Sequence, residues 1–332
     1  MSKKILLTGG TGFIGKNLIL DLLKNNYLVY CLTRRRINLQ NDFILKKIPN
    51  EKLNNLIFIQ SDLTEENSLS KKIPDDVNVI LHFAGITKAI NPDDYTKGNF
   101  IGTKNLIDEL LRKQNTKLRF IYCSSQAAAG PANNIEGITE ENKPTPVSLY
   151  GKAKLEAEKY LLSKKEFFNW TIIRPSAVFG RGDEDFKNIY KLVKLGFNIK
   201  FDETENYFNL IYVQDLVNIT TKLITEEKSY NKILFVNDGM IYSNSSFALT
   251  LARYFNKKIR TIKIPFTIIS FLANMNELLC KIKQRPHIFN TDKVKELKHR
   301  YWLATNKKLL ELFPDYKFYN IQEAICEIFE SN

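Results

Sequence analysis

Ile5-Leu6-Leu7-Thr8-Gly9-Gly10-Thr11-Gly12-Phe13-Ile14-Gly15 is the stretch on which the fold turns. An apolar run leads straight into a Gly-x-Gly-x-x-Gly turn, and a segment of helical period follows at residues 17–24. A Gly-rich turn alone is a weak signal, but one that follows a strand-like run and opens a helix stands in the context that gives it meaning. Gly10 permits a tight turn, Gly12 lets the backbone approach a pyrophosphate, and Gly15 lets helix and strand pack closely. The free N–H groups at the start of the helix would then hold the phosphates of a dinucleotide, with Gly9, Phe13 and Ile14 in the same loop.

Outward from this turn, strand-like runs recur at residues 28–33, 56–60, 77–83, 118–123 and 170–174. Segments of helical period separate them, among them 102–113 and 150–163. Strands that alternate with helices imply βαβ units and a parallel sheet covered on both faces. Right-handed crossovers then make an α/β, Rossmann-type, doubly wound domain over residues 1–182. After Gly182 the alternation weakens. A helix-like stretch at 186–195 is followed by short aromatic strands between 201 and 212, and by a helix from Asp215. Residues 233–236 read as a further strand of the first sheet, and serines at 243–246 as an N-cap run before a helix at 247–254. Residues 183–332 are thus expected to form a smaller, interleaved α/β substrate domain.

Composition narrows the function classes. The chain has 332 residues, 44% apolar and 26% charged, as in ordinary globular proteins. Its formal charge of +13 is dispersed, with Lys and Arg often beside acids, as in Lys152-Ala153-Lys154-Leu155-Glu156. Nucleic acid is therefore not the expected partner, while attraction to anionic ligands or anionic lipid stays open. Cys31, Cys123, Cys280 and Cys326 lie far apart and form no CxxC pair, which implies reduced thiols, a cytoplasmic location and no metal. Gly-rich turn chemistry interrupts the N-terminal apolar run, so no signal peptide is expected. The apolar stretch 264–279 contains Pro265, Asn274, Asn276 and Glu277, too short and polar to span a bilayer. It reads either as a core helix or as an amphipathic helix on a membrane surface.

A second constellation carries proton chemistry. Tyr150 and Lys154 share one face of a helix. An ordinary tyrosine, with a pKa of about 10, is a poor base at neutral pH, and a neighbouring ammonium should lower that value. Lys154 can also bond the nicotinamide ribose. Ser125, at the end of an apolar run, would hold the reacting oxygen near the tyrosine. Thr33-Arg34-Arg35-Arg36 ends the second strand where an NAD enzyme usually has an acid. A guanidinium suits a ribose 2′-phosphate, which favours NADP over NAD. Asp62 is placed either to meet the adenine or to cap the next turn.

With these motifs on view, the chain resembles the extended short-chain dehydrogenase/reductase superfamily and its NAD-dependent epimerase/dehydratase group. The resemblance rests on residues 8–15, Asp62-Leu63, His82-Phe83-Ala84-Gly85, Asn99 with residues 102–106, Ser124-Ser125, Tyr150 with Lys154, Arg174-Pro175 with Gly180, and Tyr212-Val213-Gln214-Asp215. It implies catalysis by Ser125, Tyr150 and Lys154, and adds Leu63, Ala84 and Gly85 to the cofactor contacts. Asn99 would hold a relay water or only bond backbone, and His82 is read as structural. A homodimer through the helices at 102–113 and 150–163 is a further implication.

Departures from the group's pattern narrow the substrate. Gln126-Ala127 stand where sugar dehydratases carry Asp-Glu, which argues against elimination of water. Ala177 and Phe208 stand where nucleotide-sugar epimerases carry an Asn and an Arg for the diphosphate. Residues 124–131 and 174–180 are similar to the 3β-hydroxysteroid dehydrogenase and dihydroflavonol reductase branches, which act on apolar alcohols and ketones. The expectation is an NAD(P)-dependent oxidoreductase moving hydride between nicotinamide and an alcohol or carbonyl of a small, apolar substrate. The alternatives are a nucleotide-sugar epimerase with retained NAD and a non-catalytic dinucleotide sensor.

Overall fold

In the computed structural model, the apolar runs become one parallel sheet of seven strands. They are β1 (Lys4–Thr8), β2 (Leu28–Thr33), β3 (Leu56–Gln60), β4 (Val79–His82), β5 (Leu118–Cys123), β6 (Phe168–Pro175) and β7 (Lys232–Val236). Residues 3–34, 38–113, 118–202, 204–285, 287 and 289–330 are described. The strand order is β7-β6-β5-β4-β1-β2-β3, the doubly wound arrangement.

Alternate side chains of the strands supply two cores. Leu6, Ile80, Phe120 and Tyr122 fill one face, while Ile5, Leu7, Val79, Leu81, Ile121 and Cys123 fill the other. Covering both faces is why these strands read as unbroken apolar runs. Each fully buried Leu, Ile or Phe stabilises the fold by about 1.5–3 kcal/mol.

The helices that matter for the site are α1 (Phe13–Lys24), α2 (Gly102–Arg112), α3 (Leu149–Ser163) and α4 (Val213–Leu223). Helix α1 starts four residues before the expected 17, directly at the Gly-rich turn. A widened π turn, Thr96–Ile101, leads into α2. Packing of α1 on α4, and the return of β7 to the edge beside β6, bring residues after 182 back into the first sheet. Asp215 in the first turn of α4 accepts from Tyr316 Oη at 2.8 Å and from Tyr319 N at 3.1 Å, so it ties the C-terminal segment down.

The remaining strands form small sheets: Ala177–Phe179 with Leu210–Tyr212, Phe197–Phe201 with Arg260–Ile264, and Tyr207–Phe208 between Tyr242–Ser243 and Tyr301–Trp302. Ser243 and Ser246 make a reciprocal capping box at the start of the helix Asn244–Tyr254. The apolar stretch near 264–279 becomes α5 (Phe266–Lys283), packed on α6 (Thr291–Leu297). It is not a core helix, because only Ile269, Ala273 and Cys280 of its residues are buried. Among the described residues, no helix is long and apolar enough to cross a membrane. All four cysteines carry free thiols.

Candidate active site

The strand order reverses between β1 and β4, and the loops after their carboxyl ends flank the crevice that such a reversal opens. Gly9 has φ +75°, and a Cβ there would lie 2.5 Å from the Phe83 carbonyl carbon. A Cβ on Gly15 would lie 2.1 Å from the Gly9 oxygen, so α1 can start this close to the turn only with glycine there. The expectation for Gly10 needs correction. The positive φ falls on Gly9, whereas Gly10 makes room for Cys31, whose Sγ would be 2.4 Å from an added Cβ. Gly12 donates to the Gly9 oxygen at 3.0 Å and is the N-cap of α1. No side chain caps this helix and no acid lies in its first turn, so its leading N–H groups suit an anion. These residues fit a dinucleotide pyrophosphate.

Behind the loops runs a buried hydrogen-bond chain. Ala84 N donates to Thr8 Oγ1 at 3.1 Å, and Thr8 Oγ1 lies 2.7 Å from His82 Nδ1. His82 Nε2 lies 2.8 Å from Thr103 Oγ1, which donates to the Asn99 carbonyl at 2.6 Å. The two ends of the chain assign the imidazole proton to Nε2. Burial, and secondarily the Lys154 charge, push its pKa down to about 3, so His82 is neutral and structural as expected. The Asn99 amide bonds the backbone of Ile86 and Tyr95. Of its two readings, the structure shows the backbone one.

Ser125 follows the end of β5, and Tyr150 and Lys154 lie one turn apart on α3, with Lys154 reaching that strand end. Ser125 caps the short helix Gln126–Ala129, where its Oγ accepts from Ala127 N at 3.1 Å, and its hydroxyl acts to lower the Tyr150 pKa. Lys154 Nζ is buried, donates to the Cys123 carbonyl at 2.8 Å and lies 5.0 Å from the Tyr122 ring centroid. An added Cβ on Gly85 would lie 3.1 Å from this ammonium, which places the loop after β4 against it. The expected lowering of the Tyr150 pKa is not seen. Burial raises it and outweighs the lowering by the Ser125 hydroxyl. Burial also holds the Lys154 ammonium below its ordinary value.

Several groups around the site carried no signal in the sequence. Asp292 accepts from Leu149 N at 2.8 Å and from Tyr150 N at 3.3 Å, so it caps helix α3 from 142 residues away along the chain. Asn290 donates to Tyr95 Oη at 2.9 Å, and the Tyr95 ring lies 6.4 Å from that of Tyr150. Ser124 bonds Glu158, which forms a buried two-pronged pair with Arg174 at 3.0 and 2.6 Å. This separates the two serines: Ser124 is structural and Ser125 faces Tyr150. Two ion pairs, Lys88–Asp185 at 2.6 Å and Lys293–Glu296 at 2.7 Å, add charge nearby, and Glu296 helps to raise the Tyr150 pKa.

Arg34 is exposed just past β2; Arg35 and Arg36 lie outside the described residues. Asp62 Oδ1 accepts from Thr64 N at 2.9 Å and from Thr64 Oγ1 at 2.8 Å, as a turn cap would. Leu63 follows it and accepts from Asn105 Nδ2 at 2.9 Å.

Known proteins show the same plan. The chain is 28% identical to a UDP-glucose 4-epimerase of Vibrio cholerae over 80% of each chain. It is 25% identical to a 3-beta-hydroxysteroid dehydrogenase of Mycolicibacterium neoaurum, over 80% of this chain and 74% of that one. The crystal structure of UDP-glucose 4-epimerase with UDP-glucose from Thermotoga maritima shares the fold, with a TM-score of 0.73 at 20% identity and 99% of each chain covered. The family model "NAD dependent epimerase/dehydratase family" matches residues 5–235, which take in every strand of the large sheet save the ends of its first and last. The chain belongs to this NAD dependent epimerase/dehydratase family and is an NAD(P)-dependent enzyme of the extended short-chain dehydrogenase type.

Proposed function

We propose that the protein reversibly oxidises a secondary alcohol, or reduces the matching ketone, on a small apolar substrate. Buried Lys154, one helical turn from Tyr150 and bonded to the Cys123 carbonyl two residues before Ser125, is the observation that carries this reading. Tyr150 Oη exchanges the proton of the substrate oxygen, and Ser125 Oγ holds that oxygen beside it. The Tyr150 hydroxyl starts with a raised pKa, so it needs added positive charge to work as a base. When bound, the oxidised dinucleotide supplies a hydride acceptor and such a charge. Gly9, Gly12, Phe13, Ile14 and Gly15 would hold its pyrophosphate, Asp62 and Leu63 the adenine, Ala84 and Gly85 the nicotinamide side, and Lys154 the ribose. NADP is the favoured form and NAD the alternative, because Arg34 rather than an acid follows β2. The elements after residue 182, apart from α4 and β7, would bind the substrate in a cytoplasmic homodimer. Its free thiols support the compartment.

The Vibrio relative supports a second reading, epimerisation of a nucleotide sugar by oxidation and re-reduction of one carbon. Against it, Phe208 stacks on Tyr242 as a packing residue, and Lys88 and Lys293 are already neutralised by Asp185 and Glu296. A sensor without catalysis has no use for Ser125 and Tyr150 together. The test is Tyr150→Phe assayed on panels of apolar ketones and UDP-sugars. Turnover should fall about 10²–10⁴-fold with dinucleotide binding kept; full turnover would overturn the reading.

A further inference from the structure

Helix α5 turns an apolar stripe toward solvent. Ile268, Phe271, Leu272, Met275, Leu278, Leu279 and Ile282 recur at steps of three and four, and each is 45–71% exposed. Its opposite face, with Ile269 and Ala273, packs on Val294 of α6. An exposed stripe of this size on one helix marks an interaction surface rather than ordinary surface scatter.

We propose that this stripe seats the protein peripherally on an anionic lipid bilayer. Charge decides the occupant. The one acid of α5, Glu277, is turned inward, where it accepts from Thr291 N at 2.8 Å and Thr291 Oγ1 at 2.6 Å. Exposed cations lie on either side of the helix along the chain: Lys257, Lys258 and Arg260 at and just before the start of the strand that leads into it, and Lys281, Lys283 and Arg285 at and beyond its end. Parallel pairing with a second copy would set the cationic ends at Lys281, Lys283 and Arg285 against each other, and antiparallel pairing would offer them no acid, because Glu277 is turned inward. An anionic surface meets the cations on this side of the chain with opposite charge and takes the apolar side chains below its headgroups. The helix does not cross the membrane but lies in its plane. One helix, α6, separates it from the N-terminus of α3, because Asp292 of α6 caps that end.

The test is flotation of the full chain with phosphatidylcholine vesicles, with and without phosphatidylglycerol. Binding should require phosphatidylglycerol, weaken as salt is raised, and fall at least about tenfold in Phe271→Ser/Leu278→Ser. Lys281→Glu/Lys283→Glu, which leaves the apolar stripe whole, should lose about fivefold or more for each charge changed. Unchanged melting temperature and dinucleotide binding confirm that each variant is folded, and the lysine pair decides alone if the apolar pair is not. Absence of binding to phosphatidylglycerol vesicles, or equal binding by wild type and variants, would overturn the proposal. So would self-association that Phe271→Ser/Leu278→Ser abolishes, with no vesicle binding by either protein.

Discussion

His82 shows how a residue at the heart of a crevice can be chemically silent. Both ring nitrogens are engaged by Thr8 and Thr103, and burial keeps the ring neutral down to about pH 3. An unfolded chain takes up that proton near pH 6.5. Between these values the unfolded state binds more protons, so this group makes stability fall on acidification, by about 1.4 kcal/mol per pH unit. Asp183, Asp215 and Asp238, raised by burial to about 6, work in the opposite direction, since their folded forms hold protons more tightly. Comparison with His82→Gln isolates the histidine. The difference in unfolding free energy between wild type and variant, measured by denaturant titration, should shrink with that slope below pH 6.5. A difference that is constant with pH would mean that His82 titrates normally in the folded protein.

At the scale of elements, helix α3, which carries Tyr150 and Lys154, depends on distant residues for its start. Ser148 caps Gly151 N at 3.0 Å within the helix's own chain, whereas Asp292 reaches Leu149 N and Tyr150 N from α6. Charged acceptors at a helix start gain from both the hydrogen bonds and the dipole. Asp292→Ala should lower unfolding free energy by about 1–3 kcal/mol, and should lower kcat because the Tyr150 backbone loses a partner. Asp292→Asn, which keeps an acceptor but no charge, should fall between the two. Equal stability and kcat in all three proteins would show that Ser148 alone sets this helix start.

At the scale of the whole molecule, the dinucleotide site is built from loops after several strands, so its ligand should stabilise the entire sheet. Binding at a hundredfold excess over Kd adds about 2.7 kcal/mol. Thermal melting with NADPH and NADH should show the larger rise with NADPH. Mass spectrometry of nucleotide released on denaturation gives the independent check. NAD retained near full occupancy would favour the epimerase reading and overturn the role given to Arg34.

The sequence by itself determined the sheet and its cofactor turn. Apolar runs flanked by Gly-rich or polar breaks are local patterns, and a strand covered on both faces has little freedom to be anything else. The placing of Ser125, Tyr150 and Lys154 was legible for the same reason, since each sits at a strand end or on one helical face. Only the tertiary structure decided what those residues meet. Burial acts through every packed neighbour, so the rise in the Tyr150 pKa outweighs any local lowering. The cap from Asp292 and the pairing of Glu158 with Arg174 depend on where the chain returns. Periodicity likewise marked α5 as apolar on one side, but which side the rest of the molecule covers is a matter of packing. Packing covers Ile269 and Ala273 and leaves Phe271 and Leu278 bare.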